Sequence, residues 1–249
     1  YSSARLAEGS GAMDCDLLIR GGMLYDGTGA PGRPADVAVR DGKLLAIDTP
    51  LRLSARRTID ADGMAVAPGF IDIKTHSDFT LPINPRAESK LRQGVTTEII
   101  GHCGFSVAPC LPGKVKLLAD YLNPSAPWLP FREMSFSDYL NSFPATSVNA
   151  GMLVGHNTLR LMVMGMEQRA PTDSELRAMT GLLDEALEAG ALGLSSGLFT
   201  SPGARMPCSA CAAARRLRPR RPPMMSTRMA VKVMTPSPPS CTSTRITPR

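Results

Sequence analysis

The sequence predicts an α/β fold, a parallel sheet of the barrel type preceded by a small β module, and three stretches carry that expectation. Pro68-Gly-Phe-Ile-Asp-Ile-Lys-Thr-His-Ser-Asp78 is a short apolar run with β-branched residues that ends in polar side chains. Phe70, Ile71 and Ile73 suit a buried strand of a parallel sheet, where both faces are covered and the strand reads as nearly continuous apolar sequence. Val95-Thr-Thr-Glu-Ile-Ile-Gly-His-Cys-Gly-Phe-Ser106 repeats the arrangement about one βα unit later. Further on, a capped helix from Thr172 leads through Gly190 into the short strand Ala191-Leu-Gly-Leu194. Strands that alternate with helices through short links make a parallel sheet, and in barrels the strand C-termini carry the functional groups.

In order along the chain, residues 1–12 read as a leader or fragment upstream of Met13. Residues 13–66 alternate apolar runs with turns: Leu17-Leu18-Ile19 before Gly21-Gly22, Val37-Ala38-Val39 before Asp41-Gly42, and Thr58-Ile59-Asp60 before Asp62-Gly63. Asp-Gly between such runs is a hairpin signal, so this segment is expected to be a small antiparallel β unit without chemistry of its own. Residues 67–203 carry the barrel pattern. Glu88 to Gln93 suits a short helix ended by Gly94, and Ser137 to Phe143 another. Residues 111–135, with Asn123-Pro-Ser-Ala-Pro-Trp-Leu-Pro130 at the centre, read as a long loop able to wall a substrate pocket. Ser147 to Val154 is a third strand leading into a polar turn at Gly155-His-Asn-Thr158. Thr172-Asp-Ser-Glu175 is a capping box, followed by Leu176, Met179, Leu183, Ala186 and Leu187 at helical spacing.

Composition bounds the function. The chain is 43% hydrophobic and 20% charged, as globular proteins are, and no apolar run approaches the ~20 residues of a membrane span. The opening residues lack the apolar core of a signal peptide, which makes the cytoplasm the expected compartment. The net charge of +6 is misleading, because residues 204–249 hold nine Arg and one Lys and no acid. The body before them carries 18 basic against 22 acidic residues, a net of −4. Three readings fit that Pro/Arg-rich tail: a disordered basic segment, a nucleic-acid-binding arm, and a stretch translated out of frame after Gly203. The abruptness of the change favours the third. Cys15, Cys103 and Cys110 in the body have no disulfide-framework spacing and are expected to be reduced.

The sequence has three His: His76, His102 and His156, each just past an expected strand and so on one face of the barrel. Cys103 adds a soft donor beside Gly104. His and Cys together suit zinc, whose open coordination position can hold a water with a pKa near 7, the usual nucleophile for amide hydrolysis. A structural thiol with hydrogen-bonded histidines is the competing reading.

Here the motifs become specific. Ala67-Pro-Gly-Phe-Ile-Asp72 with Lys-Thr-His-Ser-Asp78 resembles the metal-binding opening strand of the amidohydrolase superfamily. Gly94-Val-Thr-Thr-Glu98 with Gly101-His-Cys-Gly-Phe-Ser-Val-Ala-Pro109 is similar to the second block of the N-acyl-D-amino-acid deacylases, or D-aminoacylases. Gly155-His-Asn-Thr-Leu-Arg160 and Gly190-Ala-Leu-Gly-Leu-Ser-Ser-Gly-Leu198 resemble two further blocks. The likeness runs from about residue 13 to 203, and the Cys103 block is its most specific part.

The resemblance implies a zinc-dependent hydrolase of the amide bond of N-acyl-D-amino acids. The fold it implies is an amidohydrolase-type TIM-like (β/α) barrel, incomplete here, with a small β-sandwich segment built from both chain ends. It makes Cys103 and His76 the zinc ligands, His76 being the second member of a His-x-His pair whose first member is Lys74 here. The family's later His ligands and catalytic Asp have no counterpart, since no His follows His156 and no acid follows Glu188. The chain itself is therefore expected to be weakly active or inactive. His102, His156 and Ser196 are further active-face candidates without an assigned role. The alternatives are a cyclic-amide hydrolase of the dihydropyrimidinase kind and, resting on the Arg run alone, a basic-tailed nucleic-acid-binding protein.

Overall fold

The computed structural model describes residues 13–202 and the backbone of residues 231–234. The expectations for residues 1–12, and those for residues 204–249 other than 231–234, lie outside the described residues. The chain divides into two compact units at Pro68/Gly69.

The first unit is built on β1 (Cys15–Leu24), a ten-residue strand. On one side β1 pairs antiparallel with β2 (Arg33–Arg40), which pairs antiparallel with β3 (Lys43–Asp48) through the Asp41-Gly42 hairpin. Along its other side lie β4 (Ala55–Asp60), against Cys15 to Arg20, and β5 (Ala65–Pro68), against Met23 and Leu24. Both are parallel to β1, so the sheet is mixed rather than the antiparallel unit expected. The reason is length. A ten-residue strand spans about 33 Å, enough to seat two short strands end to end. Asp62-Gly63 is thus a turn between these two short strands, not a hairpin.

Gly21 and Gly22 do not separate two strands but form a bulge inside β1. Asp36, 7% exposed, fixes that bulge by accepting from the Gly21 N–H at 2.9 Å and from the Leu51 N–H at 3.0 Å. Leu18 and Ile19 are both fully buried. Successive strand residues point to opposite faces, so both faces of this sheet are covered. Its outer strand beyond β5 is β10 (Val231–Met234), antiparallel to β5.

The second unit carries four parallel strands in sequential order, β6 (Phe70–Asp72), β7 (Val95–Ile100), β8 (Asn149–Gly155) and β9 (Gly193–Ser195). Helices fill every crossover: α1 (Glu88–Leu91); α2 (Val115–Leu122) and α3 (Phe136–Asn141); then α4 (His156–Met164) and α5 (Asp173–Ala189). Sequential parallel strands with helical crossovers are the α/β arrangement that the alternating pattern predicted. The strand at 70–72 is not buried, however: Phe70 and Ile71 are 53% and 61% exposed, and Ile73 just past it 71%. β6 is an edge strand among the described residues, so the both-faces-covered premise fails there.

Two helices were not anticipated. α2 lies inside the stretch read as a loop, where Pro112 and Pro124 masked its apolar spacing; it buries Leu118 and Leu122. α4 begins at His156, where a polar turn was expected, and all its residues except Val163 are buried. The helix has no solvent-facing side, so its polar residues His156, Asn157, Thr158 and Arg160 are buried as well and their run at its start reads as a turn. α5 conforms: the Thr172 hydroxyl accepts from the Glu175 N–H, the Glu175 carboxylate accepts from the Thr172 N–H, and Met179, Leu183 and Ala186 face the core. No described helix is long and apolar enough to cross a membrane.

Removing the capping hydroxyl leaves an orphan N–H at the start of α5. Thr172→Ala is expected to lower stability by about 1 kcal/mol, and Thr172→Ser by much less, read as shifts of the urea midpoint at constant slope.

Candidate metal centre

Behind the ends of β6 and β7 lies an ionic knot. Asp72 and Glu98 are neighbours across the parallel pair, and Glu98 is fully buried. Lys90 from α1 places its Nζ 2.6 Å from Asp72 Oδ2 and 3.1 Å from Glu98 Oε1, while the Ser77 hydroxyl donates to Glu98 Oε1 at 2.7 Å. The hydrogen bond from Lys90 is the main cause holding the Asp72 carboxyl below its usual range. Burial lowers Lys90, but its two carboxylate partners outweigh that and leave it raised.

Beyond the knot the chain presents Lys74 and His76. His76 stacks on Phe79 with ring centroids 5.7 Å apart and meets Phe105 at 6.0 Å. Its Nδ1 is buried without a hydrogen-bond partner. Burial, then the charges of Lys74 and His102, push its pKa down, which favours the neutral imidazole that can ligate a metal. Lys74 Nζ reaches Cys103 Sγ at 3.3 Å, joining the two strand ends.

Cys103 sits in a turn from Gly101 to Gly104 and has a left-handed backbone, φ +57°. Non-Gly residues take that region only when their surroundings hold them there. The holder is Ser195 at the end of β9, whose hydroxyl donates to the Gly101 carbonyl at 2.5 Å and accepts from the Gly104 N–H at 3.1 Å. Close packing completes the clamp. A Cβ on Gly197 would lie 1.9 Å from the Cys103 carbonyl oxygen, and one on Gly104 would lie 2.8 Å from the Asn157 amide carbon. Asn157, fully buried at the start of α4, donates to the Gly197 carbonyl, Thr200 Oγ1 and the Tyr121 hydroxyl, each at 3.2 Å.

Of the other candidates, His102 has a buried Nε2 without a partner, and His156 is 5% exposed with Nδ1 unpartnered and its pKa lowered by burial. Ser196 is exposed, and the serine that acts on the turn is its neighbour Ser195. Asp78 is a group the candidate set missed. It is 1% exposed, neither carboxylate oxygen has a well-formed hydrogen bond, and burial, only partly offset by the Asp78 and Gly101 backbone N–H groups, pushes its pKa up to about 7. Its place after His76 in Lys-Thr-His-Ser-Asp78 was the signal available.

No group of three His, Cys, Asp or Glu side chains among the described residues is placed to hold a metal ion. His76 and Cys103, with the free imidazole nitrogen and the thiol, supply the right kinds of donor for zinc but not the three protein ligands of a catalytic site.

D-aminoacylase of Alcaligenes xylosoxydans xylosoxydans is 43% identical over 192 residues, 76% of this chain and 39% of that protein. N-acyl-D-aspartate deacylase of the same organism is 44% identical over 194 residues, 77% of this chain and 38% of that one. The chain is a homologue of the N-acyl-D-amino-acid deacylases. It spans less than two fifths of the length of these relatives. No family model matches it. Among solved structures, a D-aminoacylase studied for one-metal activation and second-metal attenuation of a binuclear metal centre superposes with a TM-score of 0.71 at 41% identity, covering 81% of this chain and 42% of that one. An N-acyl-D-glutamate deacylase from Bordetella bronchiseptica, complexed with zinc and a phosphonate mimic of the tetrahedral intermediate, gives 0.71 at 40%, covering 80% and 42%.

Two outcomes follow for this deacylase homologue. Ser195→Ala leaves the buried Gly101 C=O and Gly104 N–H without their side-chain partner and is expected to cost about 1–3 kcal/mol in chemical denaturation. For Asp78, a folded pKa above the unfolded value near 4 means that the folded state holds the proton more tightly. Stability is then expected to fall as pH rises from about 4 to about 7, by at most ~1.4 kcal/mol per pH unit, and to level off above. Asp78→Asn should flatten that interval in denaturation curves collected across pH.

Proposed function

We propose that the chain carries the opening part of the zinc site of an N-acyl-D-amino-acid deacylase, on part of an amidohydrolase-type (β/α) barrel. The observation that supports this reading best is the pair formed by His76, wedged between two phenylalanine rings with one ring nitrogen free, and Cys103 in its clamped left-handed turn. These two residues would hold the zinc. Zinc bound there supplies a water acidified toward neutral pH and a Lewis acid for the acyl carbonyl. Phe79 and Phe105 fix the imidazole plane, and Ser195 fixes the turn that presents the thiol.

The same geometry argues that this 249-residue chain hydrolyses substrate weakly or not at all. Among the described residues, two protein donors are one short of a catalytic zinc site, and no His follows His156 in the sequence to supply a third.

The test has two parts. Zinc binding to the purified chain, followed by competition with a chromogenic chelator, is expected to weaken at least tenfold in His76→Ala and in Cys103→Ala; unchanged affinity in both overturns the assignment. In parallel, zinc-loaded protein is assayed on N-acetyl-D-methionine, its L-enantiomer and hydantoin. Turnover is expected to lie at least ~1,000-fold below the ordinary enzyme range, and any residue of it to favour the linear D-substrate. Preferential opening of the hydantoin ring would move the chain to the cyclic-amide hydrolases.

A further inference from the structure

Lys74 stands where the resemblance places the first member of a His-x-His pair, and its ammonium lies 3.3 Å from the Cys103 sulfur. A protonated lysine is a donor only, with no lone pair for a metal. Two donors of the kind that receive a metal cation lie beside it: the thiol it touches, and His76, two residues on, whose imidazole feels its charge. A second divalent ion placed against Cys103 from this side would meet both the bulk and the positive charge of the ammonium.

We propose that Lys74 occupies with its ammonium the seat of a second metal ion, so that this centre accepts a single metal. The proposal rests on the deacylase reading of His76 and Cys103 and goes beyond it. A solved homologue is described as a binuclear centre that one metal activates and a second attenuates. In this chain a fixed organic cation takes the second seat. Excess zinc would then have no additional place to bind at the centre.

The experiment is metal counting, independent of turnover. Wild type, Lys74→His, Lys74→Met and the double variant Lys74→His/His76→Ala are dialysed against increasing zinc, and bound metal is measured by atomic emission. Cobalt(II) replaces zinc in a parallel series to follow the thiolate-to-metal absorption. Lys74 is exposed, so these changes are expected to leave the fold intact, which far-UV circular dichroism checks. Lys74→His is expected to bind one equivalent more than wild type, with a stronger cobalt–thiolate band. Lys74→Met, which removes the charge without adding a ligand, should bind no additional equivalent at micromolar zinc. The double variant, which also lacks one of the proposed ligands of the first ion, should bind no more metal than wild type. Equal metal counts in wild type and Lys74→His, or an added equivalent that survives loss of His76, overturn the proposal. Equal counts of one or more that fall when Cys103 or His76 is removed overturn the role of Lys74 alone; absence of metal from every protein overturns the deacylase reading with it.

Discussion

Two carboxylates facing each other across neighbouring strands repel, and one of them here, Glu98, has no access to water. The Lys90 ammonium makes this arrangement tolerable. Because Lys90 comes from α1, neutralising the pair also docks the first crossover helix over β6 and β7. Because Ser77 donates to the same Glu98 oxygen, the knot anchors the turn that follows His76. β6 has three residues and an exposed edge, so its own ladder and apolar contacts hold it weakly. The direction in which Lys74 and His76 leave the sheet is set by this ionic knot together with the backbone bond from Thr75 N–H to the Ile99 carbonyl on β7.

The second strand end is built on another principle. Among the described residues, the turn bearing His102 and Cys103 makes no ion pair. It is held by one hydroxyl reaching from β9 and by backbone lying against backbone at Gly104 and Gly197. The candidate centre therefore couples three strands: β6 supplies an imidazole, β7 a thiol, and β9 the clamp on the thiol. Lys74 closes the circle by bonding the first strand end to the second.

Much of this was legible in the sequence where the physics is local. The capping box and apolar spacing of α5, the Gly94 stop after the first crossover helix, and the strand ends at His76, His102 and His156 all follow from neighbours along the chain. What was not legible depends on neighbours in space. α4 has no solvent-facing side because its surroundings bury even His156, Asn157, Thr158 and Arg160. Phe70 and Ile71 are apolar enough for a core strand, but whether a strand is covered is a property of its partners. Ser195 and Ser196 are chemically identical, and only the side-chain alternation of β9 decides which points inward. Asp78 shows the same limit, since burial alone makes its carboxyl unusual.

The pairing of β10 with β5 bears on the order in which the protein comes together. Among the described residues, the sheet built on β1 takes its outer strand from residues 231–234, more than 160 positions after β5. Closing so long a loop is slow, and a chain emerging from the ribosome cannot do it until residues 231–234 have been made. The parallel strands and their helices are contiguous in sequence and need no such wait. The sheet built on β1 is thus completed after the strands and helices that lie between β5 and β10, and Ala65 to Pro68 wait beside β1 as an unpaired edge until then.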